Sequence, residues 1–507
     1  MSSVIGIDVG GTNTDAVRLC GDRTVAAAKV PTTPDIQSGL LTAFAQVRGA
    51  EPIDRVHIGT TAFTNALVER RHLEPAAAIR VGAPVSESLP PMIDWPEDLR
   101  CAVANPVFFV RGGREYNGRS IRPLDRSEIE RVATTLVASH VTQAAVTAVF
   151  GTSYPDDELQ VAEWLQTVNP DLGVSLSHRI GRFGILERES ATLLNAMLRP
   201  LAARTVAAYR AAVPASLFIS QNDGTVMRAD RAAELPVFAL ASGPTNSLRG
   251  AAMLTGLADA IVFDVGGTTT DVGRLRGGYP QLAGLELEVA GVRTNFRMPD
   301  LCSVGVGGGS LVDPVTGAVG PRSVGFRLIT EALVFGGETL TLTDIAVAAR
   351  RVEIGDPSRV RHVGAELIAR VDAQLRARFL RLLESFEEPH QPLPVVLVGG
   401  GAPLVAHLLR ELGRQGVQPE HASVANAYGA AIGQVGGEVD LTFSLATTSR
   451  AAALARAERE AHQRAAEAGA RPGSIRTVEL EDAGLTYLAS DALRVRAKAV
   501  GDLDVGP

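Results

Sequence analysis

The stretch DVGGTNTD at residues 8–15 occurs a second time, as DVGGTTTD, at residues 264–271. Seven of the eight positions are identical, and only Asn13 and Thr269 differ. Each copy follows an apolar run, VIGI in the first case and AIVF in the second. A strand, a Gly-Gly turn and a second strand form the pattern of a β-hairpin. The repeat therefore predicts a duplicated chain with one such hairpin in each half.

The composition of this turn suits phosphate binding. Two consecutive glycines reach backbone conformations closed to other residues, and their N–H groups can face an anion without a Cβ in the way. Threonine hydroxyls add neutral donors. The predicted phosphate-binding residues are Gly10, Gly11, Thr12, Asn13 and Thr14 in the first copy and Gly266, Gly267, Thr268, Thr269 and Thr270 in the second. Two unrelated turns that serve only as scaffolding are the alternative interpretation.

Asp8 and Asp264 begin the two copies, and a carboxylate beside phosphate is electrostatically unfavourable by itself. The pair makes sense if Mg²⁺ lies between the carboxylates and the phosphates, held through water. We therefore predict a metal site at Asp8 and Asp264, and two facing hairpins that grip one polyphosphate from both sides.

Two later segments are also rich in small residues. Pro394–Leu404 reads PVVLVGGGAPL, a buried type of strand that runs into Gly399, Gly400 and Gly401 before a helix. Such a turn suits the close approach of a flat ring or a phosphate, although a plain strand-to-helix turn has the same pattern. Ala425–Gly433, ANAYGAAIG, predicts a helix that packs closely on another helix or simply fills the core.

Charge, cysteine content and hydropathy limit the class of function. The net charge is −7, from 49 basic and 56 acidic residues, so nucleic acid is not an expected partner. The three cysteines, Cys20, Cys101 and Cys302, form no CxxC pair for a structural zinc or redox site. The start of the chain lacks the pattern of a signal peptide, and no apolar run is long enough to span a membrane. We expect a cytoplasmic enzyme that acts on a small molecule.

The order of these elements resembles the superfamily of actin, hexokinase and heat-shock 70 ATPases. The chain resembles more closely the hydantoinase A and 5-oxoprolinase family, of the N-methylhydantoinase A-like kind. The matching segments are GIDVGGTNTDAV (6–17), HIGTTAFTNALVERR (57–71), RFGILERESATLLNAML (182–198), ISQNDGT (219–225), ASGP (241–244), DVGGTTTDVG (264–273) and VGVGGGS (304–310).

This resemblance implies a fold and an activity. The implied fold is α/β, a two-lobed actin-like ATPase of duplicated ribonuclease H-like domains with an α/β insertion and a small C-terminal cap. The implied activity is the ATP-dependent opening of a cyclic amide, such as a hydantoin, 5-oxoproline or a related lactam, by phosphorylation of the ring carbonyl oxygen. ATP and Mg²⁺ are the implied cofactors, and Gly307 and Gly308 join the nucleotide-binding residues. A second hydantoinase subunit and an oligomeric assembly are partners that the resemblance leaves open.

The predicted domains are an N-terminal lobe at 1–185 with an insertion at about 76–180, a second lobe at 186–440 and the cap at 441–507. Within the insertion, periodicity predicts helices at 127–139 and 156–168 around a strand at 144–150. Further helices are expected at 187–213, 360–386 and 448–469.

Five residues are candidates for catalysis, each with a plainer alternative. Asp15 and Asp271 close the two motifs, where a carboxylate either orients a water or caps the turn. His57 starts its segment and is either functional or packed. Glu187 lies near a helix start, where a carboxylate also has a purely local role. Cys302 stands where the family often has histidine, so it takes over that role or is a small core residue.

Three functions compete at this point. A cyclic amidohydrolase would yield ADP, phosphate and an opened ring. A small-molecule kinase of the same fold would accumulate a phosphorylated product. An ATP-driven activating module would hydrolyse ATP without a substrate and bind a protein partner tightly.

Overall fold

The computed structural model of the chain describes residues 3–21, 23–32, 36–103, 106–284, 287–387, 392–485 and 492–504. The first part contains β1 (Ser3–Val9), β2 (Asn13–Cys20), β3 (Arg23–Pro31), α1 (Ile36–Val47), β4 (Arg55–Thr60) and α2 (Ala62–Glu69). The next part contains β5 (Ala76–Ala83), α3 (Glu97–Val103), β6 (Val107–Arg111), α4 (Arg126–Ala138), β7 (Gln143–Ala148), α5 (Asp156–Val168) and β8 (Gly173–Leu176). Then follow α6 (Ile185–Ala212), β9 (Ser216–Ser220), β10 (Val226–Arg228), α7 (Ala229–Glu234) and α8 (Ser242–Thr255).

The remaining elements belong to the second half and the C-terminal part. The second half contains β11 (Ala260–Val265), β12 (Thr270–Arg276), β13 (Tyr279–Pro280), β14 (Leu287–Val289), β15 (Val292–Thr294), β16 (Leu301–Val304), β17 (Ser310–Val312), β18 (Val319–Ser323), α9 (Leu328–Glu331), α10 (Leu342–Ala348), α11 (Ala365–Phe386), β19 (Val395–Val398), α12 (Ala402–Glu411), β20 (Gly416–Val417) and α13 (Ala425–Ala431). The C-terminal part contains β21 (Val435–Ser444), α14 (Arg450–Glu467), β22 (Arg476–Leu485) and β23 (Ala492–Gly501).

The first lobe is built on a six-stranded sheet with the order β10-β9-β4-β1-β2-β3. Every residue of β1 is buried, as expected for a central strand that is covered on both faces. β1 pairs antiparallel with β2, which places Asp8 opposite Asp15, and parallel with β4. The apolar face of α6, with Leu193, Leu194 and Met197, packs into the same core.

The second lobe repeats this arrangement. Its sheet has the order β13-β12-β11-β19-β20, with β16 also paired to β12. β11 pairs antiparallel with β12 and parallel with β19, and Asp264 lies opposite Asp271. The register around the two aspartate pairs is therefore the same in both hairpins. The duplication predicted from the repeat and the two-lobed α/β fold implied by the resemblance are confirmed.

The strand order places the boundary between the lobes later in the chain than the predicted one. β9 and β10 join the first sheet, beside β4, so the boundary predicted at residues 185 and 186 does not divide the two sheets. The reason is that α6 packs on the first sheet and returns the chain to its edge, a relationship that local periodicity does not reveal. We infer that the lobes divide between α7 and β11.

The insertion forms its own parallel sheet, with the order β6-β5-β7-β8. Its helices α4 and α5 lie within a residue of the predicted bounds, because their apolar residues recur at helical spacing and face the sheet. The sheet and the helices share a separate apolar core, which includes Ile79, Val146, Ile129 and Leu165.

The C-terminal part is a three-stranded sheet, β21-β23-β22, covered by α14. The buried face of α14 consists of alanines spaced four apart, which let the helix lie close to the sheet: Ala453, Ala457, Ala461 and Ala465. This unit packs on Phe218 and Val226 at the edge of the first sheet. Of the helices in the described ranges, none combines the length and apolarity needed to cross a membrane.

Candidate functional site

The two hairpin turns meet each other across the lobes. Gly10 N–H donates to Asn13 O at 3.0 Å, and Gly266 N–H donates to Thr269 O at 2.9 Å, so both turns close in the same way. A Cβ built on Gly267 would lie 3.2 Å from Thr12 Cγ2 and Oγ1, whereas one built on Gly11 would meet nothing within 4 Å. The turns therefore touch at one point and border open space, as a cradle for an anion requires.

One helix holds the first carboxylate of both motifs. Asn246 Nδ2 donates to Asp8 Oδ1 at 3.0 Å, and Ser247 Oγ donates to Asp264 Oδ2 at 2.5 Å. Asn246 and Ser247 are neighbours on α8, so this one helix forms hydrogen bonds to both Asp8 and Asp264.

The electrostatics of these carboxylates favour a bound cation. Burial raises the pKa of Asp8 to about 6, and the charge of Asp15 adds to the effect. Burial also raises the pKa of Asp264 to about 7, with contributions from the charges of Asp271 and Asp8. In the described ranges no three His, Cys, Asp or Glu residues gather closely enough to hold a metal by themselves. Two buried carboxylates suit a hard cation such as Mg²⁺, which takes oxygen ligands and keeps water or phosphate in its other positions.

The two motif-closing aspartates have different partners. Lys29 Nζ donates to Asp15 Oδ1 at 2.6 Å, and Asn426 Nδ2 donates to Asp15 Oδ2 at 2.9 Å. Asp271 instead receives hydrogen bonds from the hydroxyls of Ser303 and Thr269. Burial raises the pKa of both carboxyls, but only that of Asp15 is opposed by a neighbouring ammonium group. Asp15 is thus engaged in an ion pair, whereas the partners of Asp271 are neutral hydroxyls.

Cys302, the neighbour of Ser303 on β16, does not face Asp271. It lies opposite Val272 of β12 and packs against the apolar core of the second lobe. Successive side chains of a strand face opposite sides, so Ser303 rather than Cys302 reaches Asp271. The geometry gives Cys302 the packing role that the sequence offered as its alternative.

His57 also has a packing role in the structure. Its side chain is fully buried on β4, its Nδ1 lies 2.8 Å from Ala430 O, and its ring meets Phe218 edge-on at 5.4 Å. Burial lowers the pKa of His57 to about 3, so the imidazole is neutral. The catalytic role predicted for His57 therefore finds no support in its surroundings.

Glu187 lies in the first turn of α6, where a carboxylate stabilises the helix N-terminus. A Cβ built on Gly184 would lie 3.0 Å from Glu187 Oε2, so the side chain folds back over the start of its own helix. This contact is the local role that the sequence offered as an alternative to catalysis.

The Gly399–Gly401 turn packs against the second hairpin and exposes its middle residue. Gly399 has φ +86°, and a Cβ there would lie 2.4 Å from Asp264 Oδ1. Gly401 N–H donates to Val265 O at 2.7 Å. Gly400 is exposed, and a Cβ there would lie 3.7 Å from Lys29 Cε of the first lobe. The turn thus meets the first lobe beside the hairpins.

Gly307 and Gly308 support the second hairpin from behind. Gly307 N–H donates to Ser310 Oγ at 2.8 Å, and Gly308 N–H donates to Gly266 O at 3.0 Å. A Cβ on Gly307 would lie 2.6 Å from Gly267 C. Because both N–H groups are already donated within the protein, the structure gives these glycines a packing role in place of the predicted direct contact with nucleotide.

Sequence reasoning missed five polar residues of the site: Lys29, Asn246, Ser247, Ser303 and Asn426. A signal existed for three of them. Asn246 and Ser247 lie two and three residues after the ASGP segment, and Asn426 belongs to the small-residue segment that was given only a packing role. Lys29 and Ser303 are brought to the aspartates by strand pairing, which the sequence alone does not specify.

The crossing of α8 and α13 explains the small residues. A Cβ on Gly250 would lie 1.8 Å from Ala425 O, and a Cβ on Gly429 would lie 1.8 Å from Asn246 O. The predicted close packing of two helices is therefore confirmed. The same crossing brings Asn246 and Asn426 to the two oxygens of Asp8.

Comparison with known proteins extends over most of the chain. Residues 4–169 match the model of the hydantoinase/oxoprolinase N-terminal region, and residues 188–358 match the hydantoinase/oxoprolinase model. Caprolactamase subunit alpha of Pseudomonas jessenii is 24% identical over 504 residues, covering 85% of this chain and 70% of that subunit. 5-oxoprolinase 1 of Arabidopsis thaliana is 26% identical over 330 residues, covering 58% of this chain and 26% of the plant protein.

A solved structure shares the fold over nearly the whole chain. The crystal structure of ATP-dependent caprolactamase from Pseudomonas jessenii superposes with a TM-score of 0.75 at 19% identity, covering 99% of this chain and 88% of that chain. Together with the two family models, this likeness covers both lobes and the duplicated hairpins. The chain therefore belongs to the hydantoinase/oxoprolinase family.

Proposed function

We propose that this protein is an ATP-dependent hydrolase that opens the ring of a cyclic amide, such as a hydantoin, 5-oxoproline or a related lactam. The observation that carries the proposal is the contact between the two hairpin turns, where Thr12 of one lobe lies against Gly267 of the other. Gly11, next to this contact, borders open space, which suits a polyphosphate. The names of two relatives, a caprolactamase subunit and a 5-oxoprolinase, support a lactam as the second substrate.

Asp8 and Asp264 are suited to the Mg²⁺ that accompanies ATP. Both pKa values are raised by burial and by neighbouring carboxylates, so a cation would relieve an excess of negative charge. Mg²⁺ supplies neutralisation of the phosphate oxygens when it is bound. We assign the adenosine side of the nucleotide to the turn around Gly400, which is exposed and lies beside Lys29.

In the proposed reaction the γ-phosphoryl group of ATP moves to the carbonyl oxygen of the ring amide. A water then adds to the activated carbon, the C–N bond breaks, and the ring nitrogen takes a proton. A second water releases phosphate, so the products are ADP, phosphate and the opened ring. Asp271 suits the orientation of the first water better than Asp15, because Asp15 is already paired with Lys29.

We further propose that ring opening uses a second subunit. The relative from Pseudomonas jessenii is by its name one subunit of a larger enzyme, and this chain spans 70% of it. The chain spans only 26% of the plant 5-oxoprolinase. A partner subunit would then supply binding surface or catalytic groups that the longer relatives carry on one chain.

The test is ADP release from Mg²⁺-ATP with a panel of hydantoins, 5-oxoproline, other lactams, sugars and short acids, with products identified by mass spectrometry. We expect a cyclic amide to stimulate ADP release and to appear ring-opened in the same tube. A phosphorylated product that accumulates would favour the kinase, and ADP release that no compound stimulates would favour the activating module. The variants Asp8→Ala and Asp264→Ala should lose ATP binding, and unchanged binding in both would contradict the assignment of the cleft.

A further inference from the structure

The two hairpin motifs differ at a single position, and the two residues there have different hydrogen bonds. The position is occupied by Asn13 in the first copy and by Thr269 in the second. The Thr269 hydroxyl donates to Asp271, the aspartate two residues further on. The matching aspartate of the first copy, Asp15, is bonded to Lys29 instead. In the part of the chain that the structure describes, the Asn13 carboxamide has no hydrogen-bond partner.

Asn13 lies on the side of its sheet that faces the second lobe. Side chains two residues apart on a strand point to the same side, so Asn13 of β2 shares the side of Asp15. On that side Asp15 binds Asn426 of α13, and Lys29, which is paired with Asp15, donates to Ser423 O. Asn13 is half-buried. Its carboxamide is thus directed towards the space between the lobes.

A proline provides an apolar surface beside this carboxamide. Asn13 of β2 is paired directly with Pro31 of β3. Directly paired residues of an antiparallel ladder lie on one face of the sheet, with Cβ atoms roughly 4.5–5.5 Å apart. Pro31 is exposed. The two residues together offer an apolar surface and a polar group that both donates and accepts hydrogen bonds.

A carboxamide is complementary to the amide of a small ring. The ring holds its amide cis, so the N–H and the C=O lie along the same edge. The side chain of asparagine offers an NH₂ donor and a carbonyl acceptor in one plane, so it can bond to both groups at once. The same kind of pairing lets asparagine read the edge of adenine in DNA. A carboxamide carries no titratable proton, so this complementarity does not depend on pH.

The position of Asn13 also agrees with the proposed phosphoryl transfer. Asn13 follows Thr12 directly, and Thr12 makes the contact with Gly267 where the two turns meet. Neighbouring Cα atoms are about 3.8 Å apart. A ring amide held by Asn13 therefore lies next to the turns that are assigned to the phosphates, on the first-lobe side of the contact.

We propose that Asn13 recognises the cyclic amide: Nδ2 donates to the ring C=O, Oδ1 accepts from the ring N–H, and the ring packs on Pro31. The identity of the ligand rests on the proposed function, whereas the place of the carboxamide between the lobes rests on the strand geometry. Asn13 is a specificity residue in this scheme, because an N-methylated ring has no proton for Oδ1 and places a methyl group against it.

The contact with the ring N–H strengthens during the phosphoryl transfer. A carbonyl oxygen has two lone pairs. One accepts from Nδ2 of Asn13, and the other forms the bond to the γ-phosphorus while the bond from phosphorus to the leaving oxygen breaks and its electron pair leaves with ADP. The ring nitrogen keeps its proton and gains positive charge at this step, so its N–H donates more strongly to Oδ1. Oδ1 therefore holds the ring in place through the transfer.

Asn13→Thr removes the carboxamide with little risk to the fold, because the second hairpin carries threonine at the same position. We expect this variant to keep the thermal midpoint and the Kd for ATP of the wild type. Its KM for the cyclic amide should rise about tenfold, as expected for the loss of one or two neutral hydrogen bonds. Asn117→Thr is the matched control, since Asn117 is an exposed asparagine in a loop of the insertion.

A second measurement needs no turnover and isolates the contact. Hydantoin, 5-oxoproline and caprolactam are titrated into protein saturated with Mg²⁺ and a non-hydrolysable ATP analogue, each beside its form methylated on the amide nitrogen (the imide nitrogen for hydantoin). Saturation-transfer NMR is the readout. At least one parent ring should bind about tenfold more tightly than its methylated form. In Asn13→Thr the two Kd values should become nearly equal, whereas Asn117→Thr should keep the difference. A purely structural role for Asn13 would lower both affinities alike.

The outcomes separate this site from the proposed activity. If no ring is opened but one binds and loses its advantage over the methylated form in Asn13→Thr, the activity fails and the site stands. If a ring is opened while Asn13→Thr keeps the wild-type KM and the preference for the parent ring, the site is overturned and the activity stands. A weaker Kd for ATP in Asn13→Thr with an unchanged KM for the ring would assign the side chain to phosphate, as the sequence predicts, and would also overturn the proposal. So would a wild-type protein that binds none of the rings.

Discussion

Asp15 and Lys29 lie directly opposite each other on neighbouring strands, with Lys29 Nζ 2.6 Å from Asp15 Oδ1. At the equivalent place in the second lobe, Asp271 lies opposite Ser303. The duplication therefore preserves the carboxylate and changes its partner from a cation to a hydroxyl. Lys29 Nζ also donates to Ser423 O at 2.9 Å, so Lys29 links the first lobe to a residue of the second half.

Lys29→Met should weaken ATP binding. The side chain is partly exposed and lies beside Gly400, where the nucleotide is proposed to bind. Loss of one charge-assisted contact costs roughly 1.5–3 kcal/mol, which corresponds to a Kd about ten- to a hundredfold higher. Calorimetric titration measures this, with Arg23→Met as the control because Arg23 is an exposed cation at the other end of the same strand. Equal Kd values for the two variants would remove Lys29 from the site.

Ser303→Ala and Cys302→Ser are a matched pair of variants that separates a functional role from a packing role. Ser303→Ala removes a hydroxyl that bonds to Asp271, so we expect a fall in kcat of about tenfold with little change in stability. Cys302→Ser alters a residue that packs on the apolar core, so it should lower the thermal midpoint and leave kcat nearly unchanged. Steady-state ADP release and a melting curve measure both effects. The reverse pattern would show that the thiol is the functional group.

The contribution of Asp8 and Asp264 to the stability of the free protein should fall as pH rises from about 4 to about 7, against an opposite contribution from the buried His57. In that range the folded state still holds protons on Asp8 and Asp264 that the unfolded chain has released, so the part of the free energy of unfolding that these two groups contribute falls with pH. Asp264→Asn should remove the part of this slope that Asp264 contributes, on the order of 4 kcal/mol across the window. Melting curves at several pH values, with and without Mg²⁺-ATP, are the measurement. A slope that is unchanged in Asp264→Asn would contradict the raised pKa.

Gly250→Ala should destabilise the crossing of α8 and α13. The added Cβ would lie 1.8 Å from Ala425 O, so one helix has to move, at a cost of about 3 kcal/mol. The same movement displaces Asn246 from Asp8, so ATP binding should weaken too. Gly484→Ala is the control, since a Cβ there meets nothing within 4 Å. A normal melting curve for Gly250→Ala would mean that the helices are not in contact.

The duplicated motif was sufficient to predict both hairpins, and the family resemblance was sufficient to predict the class of the fold. Two glycines permit a tight turn between apolar strands, so the hairpin follows from local chemistry. The helices of the insertion were predicted for the same reason, since their apolar periodicity is local. The family resemblance, carried by short motifs from residue 6 to 310, needed no structure either.

The partners of the site carboxylates could not be predicted in this way. Lys29 reaches Asp15, and Ser303 reaches Asp271, through the pairing of strands that are separated along the chain. Asn246 and Asn426 reach Asp8 because two helices from distant segments cross at glycines. Cys302 and His57 were candidates because of their residue type. In the structure Cys302 lies on the face of its strand that packs against the core, and His57 is fully buried. Residue type and spacing are local properties, whereas pairing, crossing and burial depend on contacts between distant segments and exist only in the folded chain.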